Sequence, residues 1–229
     1  MDSGKYWRHR LRQLTSCLFL ASLAVAHGAS AQPVSDDAGI ARLEAFLDGV
    51  HSLTADFKQE LWTEGGQLQQ TDTGSLSLKR PNRFRWTYEA PPERKRPDPT
   101  ELVIVADGEK LWIYDVELKE VTVTPFDDTV GASPAVLLSG DRNVREDFEV
   151  VQAYKLDALD WIKLEPRGAS DFSSIAIGFS GTEPRRLELI DGLGQITRIE
   201  LDHLVVNPEI AEDVFKLDVP PGVDVNGEG

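Results

Sequence analysis

From position 36 onward the apolar residues recur at three- and four-residue steps. Ile40, Leu43, Phe46, Leu47 and Val50 share one side, with Arg42, Glu44 and Asp48 on the other. That period predicts a single amphipathic helix over Asp36 to Ser52, laid on an apolar surface. From position 53 the period becomes two. Leu53, Ala55, Phe57 and Leu61 alternate with Thr54, Asp56, Lys58 and Glu60, which is the pattern of a half-buried strand. Leu76 and Leu78 alternate in the same way with Ser75, Ser77 and Lys79, and Phe84, Trp86 and Tyr88 with Arg83, Arg85, Thr87 and Glu89. Leu102 to Ala106 and Lys110 to Tyr114 flank Asp107-Gly108, a hairpin signal. Further strands are predicted at 118–124, 147–153, 159–164, 172–179, 185–190 and 195–206, with a turn at Asp191-Gly192-Leu193-Gly194. Eight to eleven short strands without long helices between them predict a mainly β chain built on one antiparallel sheet, curled or closed.

Three segments depart from this pattern. Ser133 to Gly140 has a serine cap, Pro134 at the first helical position and a glycine just past the end, so it predicts a short helix that is apolar all round. Asn207-Pro208 opens another short turn before Phe215. Pro91 to Pro99 is a proline-rich loop carrying Arg94-Lys95-Arg96, read either as a solvated loop or as a docking surface for an acidic partner.

Composition sharpens the picture at the amino terminus. Lys5, Arg8, Arg10 and Arg12 precede an apolar run from Leu14 to Ala26, which closes on Ala29-Ser30-Ala31. A basic start, an apolar core of about 13 residues and a small-x-small ending predict a cleaved secretory signal peptide over 1–31, since a membrane span needs about 20. Residues 32–229 then form one domain, with no internal repeat to divide them. The whole chain carries a net charge of −15. The first 31 residues hold four basic side chains and one acidic, so the remainder carries 20 basic against 38 acidic, a net of −18, and lacks cysteine. Such a chain is unsuited to nucleic acid, which needs basic surface, and to lying on anionic membranes. No stable membrane insertion is expected.

Candidate chemistry is sparse. The predicted mature chain holds two histidines, His51 and His203, too few for a zinc centre. A serine hydrolase would need one of them beside an activated serine, and Gly178-Phe179-Ser180-Gly181 lacks the spacing of a nucleophile elbow. With 38 acids some carboxylate pair must lie close, yet nothing singles one out. The expectation is a protein that is not an enzyme and uses no cofactor or metal. An exported hydrolase remains the weaker alternative.

The most informative stretch is Leu76 to Tyr88. Its parity puts Arg80 on the same face as Leu76, Leu78, Phe84, Trp86 and Tyr88. A charge on an apolar face needs partners. Carbonyls ending the 134–139 helix would serve, and so would an acid at the rim if Pro81 resets the strand. Phe57, Phe84, Trp86, Trp112, Trp161 and Phe179 make the inward faces aromatic, either as an ordinary core or as a concave sheet enclosing an apolar ligand under a helical lid.

Five strings, in order, resemble the LolA family of periplasmic outer-membrane lipoprotein carriers. They are Leu53-Thr54-Ala55-Asp56-Phe57-Lys58-Gln59; Lys79-Arg80-Pro81-Asn82-Arg83-Phe84-Arg85-Trp86 within Gly74 to Trp86; Asp107 to Tyr114; Pro134 to Leu138; and Phe215 with Pro220-Pro221-Gly222-Val223-Asp224. The resemblance implies an incomplete, strongly curved antiparallel β-barrel of about eleven strands, with short α-helices forming a lid over a hydrophobic cavity. It implies that Arg80, in the K-R-P string, latches the closed lid by bonding to lid backbone. On this reading Leu43, Phe46, Leu47, Phe57, Leu76, Leu78, Phe84, Trp86, Tyr88 and Trp112 line the cavity, and Pro134, Val136, Leu137 and Leu138 form the lid helix. The implied partners are acylated lipoproteins as cargo, an ATP-driven inner-membrane transporter that supplies them and an outer-membrane acceptor of the same fold, the carrier itself being monomeric. A relative that binds or senses free envelope lipid is the nearest alternative.

Overall fold

A computed structural model describes residues 32–91, 94, 99–126, 138–139, 147–168 and 170–227. Helix α1 (Asp36–Gly49) precedes most of a single sheet. Asp36 and Asp37 occupy its first turn, where carboxylates complement the positive end of the helix dipole. The helix ends three residues earlier than its apolar period predicts, because the chain already enters a strand at Ser52.

The strands are β1 (Gln32–Val34), β2 (Ser52–Trp62), β3 (Leu68–Lys79), β4 (Arg83–Glu89), β5 (Thr100–Asp107), β6 (Lys110–Asp115), β7 (Glu120–Pro125), β8 (Phe148–Leu156), β9 (Leu159–Pro166), β10 (Phe172–Ser180), β11 (Glu183–Asp191), β12 (Ile196–Val206) and β13 (Asp224–Gly227). They form one 13-stranded sheet in the order β1-β8-β9-β10-β11-β12-β2-β3-β4-β5-β6-β7-β13. Pairing β2 with β12 joins the two halves of the chain at the centre. Among the described residues β1 and β13 end the sheet without meeting, so the barrel is open. Its inner side chains nevertheless form one cluster that joins β2–β6 to β9–β12, which requires the sheet to curl around them.

The eleven predicted strands are all present, and two short ones are added. β1 pairs with β8, while β13 runs parallel to β7, so the sheet is not wholly antiparallel as expected. The helix α1 lies across β8 and β9. There the Asp36 carboxylate accepts the Ala153 amide at 2.9 Å, and Arg42 pairs with Asp160.

The Asp107-Gly108 turn shows how local chemistry fixes a hairpin. Gly108 takes φ +104, a conformation that side chains disfavour. Asp107 accepts the amides of Glu109 and Lys110 at 2.9 and 2.8 Å, and the Trp112 indole at 2.9 Å. Burial pushes the Asp107 carboxyl up, but the hydrogen bonds from Lys110, Glu109 and Trp112 together hold it below its ordinary range. A carboxylate with a depressed folded pKa adds stability above its unfolded pKa of about 3.9, and that stability is lost as pH falls through the folded value. Asp107→Asn should therefore lower stability by roughly 1 kcal/mol at neutral pH. Urea unfolding should show that deficit level above about pH 5 and shrinking below about pH 4; a deficit independent of pH would contradict the charge argument.

Candidate functional site

The concave face of the sheet is apolar by alternation. β2 contributes Phe57, β3 Leu76 and Leu78, and β4 Phe84 and Trp86, all buried, with half-buried Tyr88 beside them. The Phe57 ring lies 4.7 Å from that of Trp86 and 5.1 Å from that of Tyr88. Gly74, opposite both Phe57 and Tyr88, leaves room for these rings to meet. Burial pushes the Tyr88 hydroxyl up to about 12, so it stays protonated, and it donates to Gln59 at 3.3 Å.

Helix α1 covers this face. Leu43 and Phe46 are buried beneath it, Leu47 packs partly against the same cluster, and Phe46 sits 5.8 Å from Phe179 on β10. Leu138 and Ser139, both helical and buried, cover another part of it. Pro134, Val136 and Leu137 lie outside the described residues, as do Lys95 and Arg96 of the basic loop. Arg94 of that loop pairs with Glu101.

Arg80 occupies the β3–β4 turn, where parity placed it. Its guanidinium carbon is 5.1 Å from the centroid of the Phe46 ring, and its Nε and Nη2 are buried. A cation over a desolvated ring is attracted by about 2 kcal/mol. The turn is held from several sides. The Arg80 amide donates to the His51 carbonyl at 2.8 Å, and the Asn82 amide to the Ser139 carbonyl at 3.1 Å. On the outer side Lys79 and Arg83 both grip Glu212, the latter at 2.5 Å, and hydrogen bonding from Lys79, with the nearby Arg83 charge, holds that carboxyl below its usual range.

Two expected inward tryptophans face the other way. Trp112 is not a lining residue: Leu111 and Ile113 carry β6 into the inner cluster, and the Trp112 indole is tied to Asp107. The strand is apolar on both faces, so its parity was ambiguous, and β5 and β7 likewise bury Val105 and Val123 beside Trp112. Trp161 pairs with Gly178 and stacks on Tyr154, while its neighbour Ile162 points inward.

Sequence reasoning missed Glu212 and Asn207. Asn207 accepts the His51 amide at 2.7 Å and donates to the Gly49 carbonyl at 2.9 Å, linking the end of α1, the start of β2 and the end of β12. Its place in Asn207-Pro208 marked a turn and no more. For Glu212 the only signal was that Lys79 and Arg83 flank an inward arginine and must face outward together. A separate cavity of about 340 Å³ lies on the outer face beside Trp161, among Lys58, Arg186 and Arg198. Those cations are paired with Glu60, Glu200 and Glu188, while Leu156, Trp161, Leu187 and Ile199 complete a lining of mixed character.

Together these features define a class: a curled, open β-sheet whose apolar inner face is covered by an amphipathic helix, with an arginine against that helix. The chain belongs to the LolA family, whose model, described as outer membrane lipoprotein carrier protein LolA, matches residues 48–218. It is 36% identical over 191 residues to an outer-membrane lipoprotein carrier protein of Methylobacillus flagellatus, covering 83% of this chain and 89% of that one. It is 35% identical to the Pseudomonas aeruginosa protein of the same name, covering 93% and 98%. A crystallised conserved protein of Thermus thermophilus, 14% identical, covers 84% of this chain and 99% of its own with a TM-score of 0.50, a likeness of fold alone.

Proposed function

We propose that the chain is a periplasmic carrier of outer-membrane lipoproteins, which shields the acyl chains of its cargo between two membranes. The observation that carries this reading is the apolar concave face under α1, with Arg80 set against Phe46. Relatives named as outer-membrane lipoprotein carrier proteins, matched over most of both chains, support it. Residues 1–31 are read as its export signal, and residues 32–229 as a single, monomeric carrier domain. No described helix is long and apolar enough to cross a membrane.

Energetics decide how such a carrier must work. At about 0.8 kcal/mol per CH₂, complete burial of long acyl chains would amount to tens of kcal/mol, beyond any useful reversible affinity. Binding must therefore be offset, and opening a closed, well-packed lid supplies the offset. In this reading Arg80 is the latch, α1 and the segment ending at Leu138-Ser139 are the lid, and the buried aromatic face is the binding surface. An inner-membrane ATP-driven transporter supplies the energy for loading, and an outer-membrane acceptor of the same fold takes the cargo. The protein carries and does not catalyse.

The decisive experiment incubates the protein with inner-membrane vesicles bearing the transporter and a labelled lipoprotein. A soluble complex in the supernatant is expected, dependent on ATP. Cargo that stays in the membrane would overturn the proposal.

A further inference from the structure

Four tryptophans lie among the described residues, and three have hydrogen-bonded indoles. Trp62 donates to Glu60 at 3.2 Å, Trp112 to Asp107 at 2.9 Å and Trp161 to the Leu156 carbonyl at 3.2 Å. Trp86 is the exception. It is 0% exposed, and its indole nitrogen has no hydrogen-bond partner. Buried donors left unpaired are rare in native proteins and costly. Phenylalanine would fill an apolar wall without that cost.

The orphan donor sits on the face assigned above to cargo. Its neighbours are Phe57, Leu76 and Ile104, which offer no side-chain acceptor. The nearby Tyr88 hydroxyl is already engaged with Gln59. An indole N–H donates only, so its complement is a ligand that brings an acceptor into an otherwise apolar space. A long-chain acyl group has one such atom, the carbonyl oxygen of its ester or amide linkage.

We infer that the Trp86 indole N–H is an anchor for an acyl carbonyl oxygen of the cargo, a residue that touches ligand and sets how deep the chains lie. The inference rests on the carrier reading and deepens it. Burial of methylenes is indifferent to position along the chain, whereas one directed hydrogen bond fixes a register. The bond also forms without displacing an existing partner of the indole, so more of its strength reaches the binding equilibrium than usual.

The test uses three synthetic lipopeptides on one peptide, each with three C16 chains: two ester-linked palmitoyl chains with an N-hexadecyl group, two ether-linked hexadecyl chains with an N-hexadecyl group, and the two ether chains with an N-palmitoyl amide. Their affinities are measured for wild type and Trp86→Phe. Wild type should bind at least one carbonyl-bearing probe roughly 5- to 100-fold more tightly than the plain ether, and which one identifies ester or amide. Trp86→Phe should bind the ether about as wild type does and lose the preference. In wild type alone, one ¹⁵N-indole signal should move downfield with the preferred probe beyond its shift with the ether, a readout that stands even if the variant fails to fold. Equal binding of all three probes by wild type, or a preference retained in Trp86→Phe, would overturn the anchor while leaving the carrier intact. No binding of any probe would overturn both.

Discussion

Gly74→Ala is expected to destabilise the protein by about 3–5 kcal/mol, a large part of the 5–15 kcal/mol typical of a folded chain. A Cβ built on Gly74 would lie 1.9 Å from the Thr87 carbonyl oxygen on β4 and 2.9 Å from the Phe57 ring on β2. Neither neighbour can yield cheaply. The carbonyl belongs to the ladder pairing β3 with β4, and Phe57 is packed against Trp86 and Tyr88. Overpacked side chains relieve strain by changing rotamer, but a strand backbone does so only by breaking its register. Gly49→Ala is the matched control. Its Cβ would meet nothing within 4 Å, and alanine at a helix terminus should leave stability unchanged or raise it by up to about 1 kcal/mol. Urea unfolding followed by circular dichroism compares the three proteins. A Gly74→Ala midpoint within about 1 kcal/mol of wild type would refute the clash.

Most of the sheet was legible because one face of each strand differs from the other. Arg83, Arg85 and Thr87 against Phe84, Trp86 and Tyr88 leave a single register that buries the rings. Alternation is uninformative where both faces of a strand are buried. The second cover is the carboxy-terminal segment after β12, whose Phe215 is buried in a short 3-10 turn packed on β4 and β5. The Arg85 guanidinium lies near the Val214 and Lys216 carbonyls of that segment, at 3.5 and 3.4 Å. With apolar residues needed on both sides, alternation in Leu111-Trp112-Ile113-Tyr114 does not say which pair faces inward, and it is Leu111 and Ile113 that do. Trp161 faces outward for a related reason, since its ring fills the space that Gly178 leaves on the neighbouring strand.

β1 and β13 escaped for want of length. Three or four residues show no period, and Asp224-Val225-Asn226-Gly227 pairs with a strand about a hundred positions away, which local composition cannot encode. The site was legible only as far as parity reached. Parity found Arg80 and the aromatic face. It could not show that Arg80 meets Phe46, because that contact depends on where α1 lies across the sheet. Charge follows the same division. Ion pairs such as that of Glu212 with Lys79 and Arg83 lie on the outside, and apart from Arg80 the inner face is left to apolar side chains. An acidic exterior of this kind keeps a lipid carrier soluble and off anionic membranes.

Arg80→Leu should separate loading from delivery. On the latch reading proposed above, the guanidinium over Phe46 favours a closed, empty state, and its removal should cost that state about 2 kcal/mol. In that reading cargo competes with closure, so weakening closure should raise cargo affinity by the same factor, roughly 30-fold. The acceptor must then extract cargo from a tighter complex, and single-turnover transfer should fall at least about 10-fold while soluble loaded carrier accumulates. The turn itself should survive. The Arg80 amide still reaches the His51 carbonyl, and Lys79 and Arg83 still hold Glu212. Arg80→Lys should fall between the two proteins, keeping the charge but losing the flat guanidinium that lies over the ring. The measurement is transfer of labelled lipoprotein from pre-loaded carrier to purified acceptor, beside thermal unfolding of the empty proteins. Wild-type transfer in Arg80→Leu, or a loss of transfer that appears equally in loading, would remove Arg80 from the role of latch.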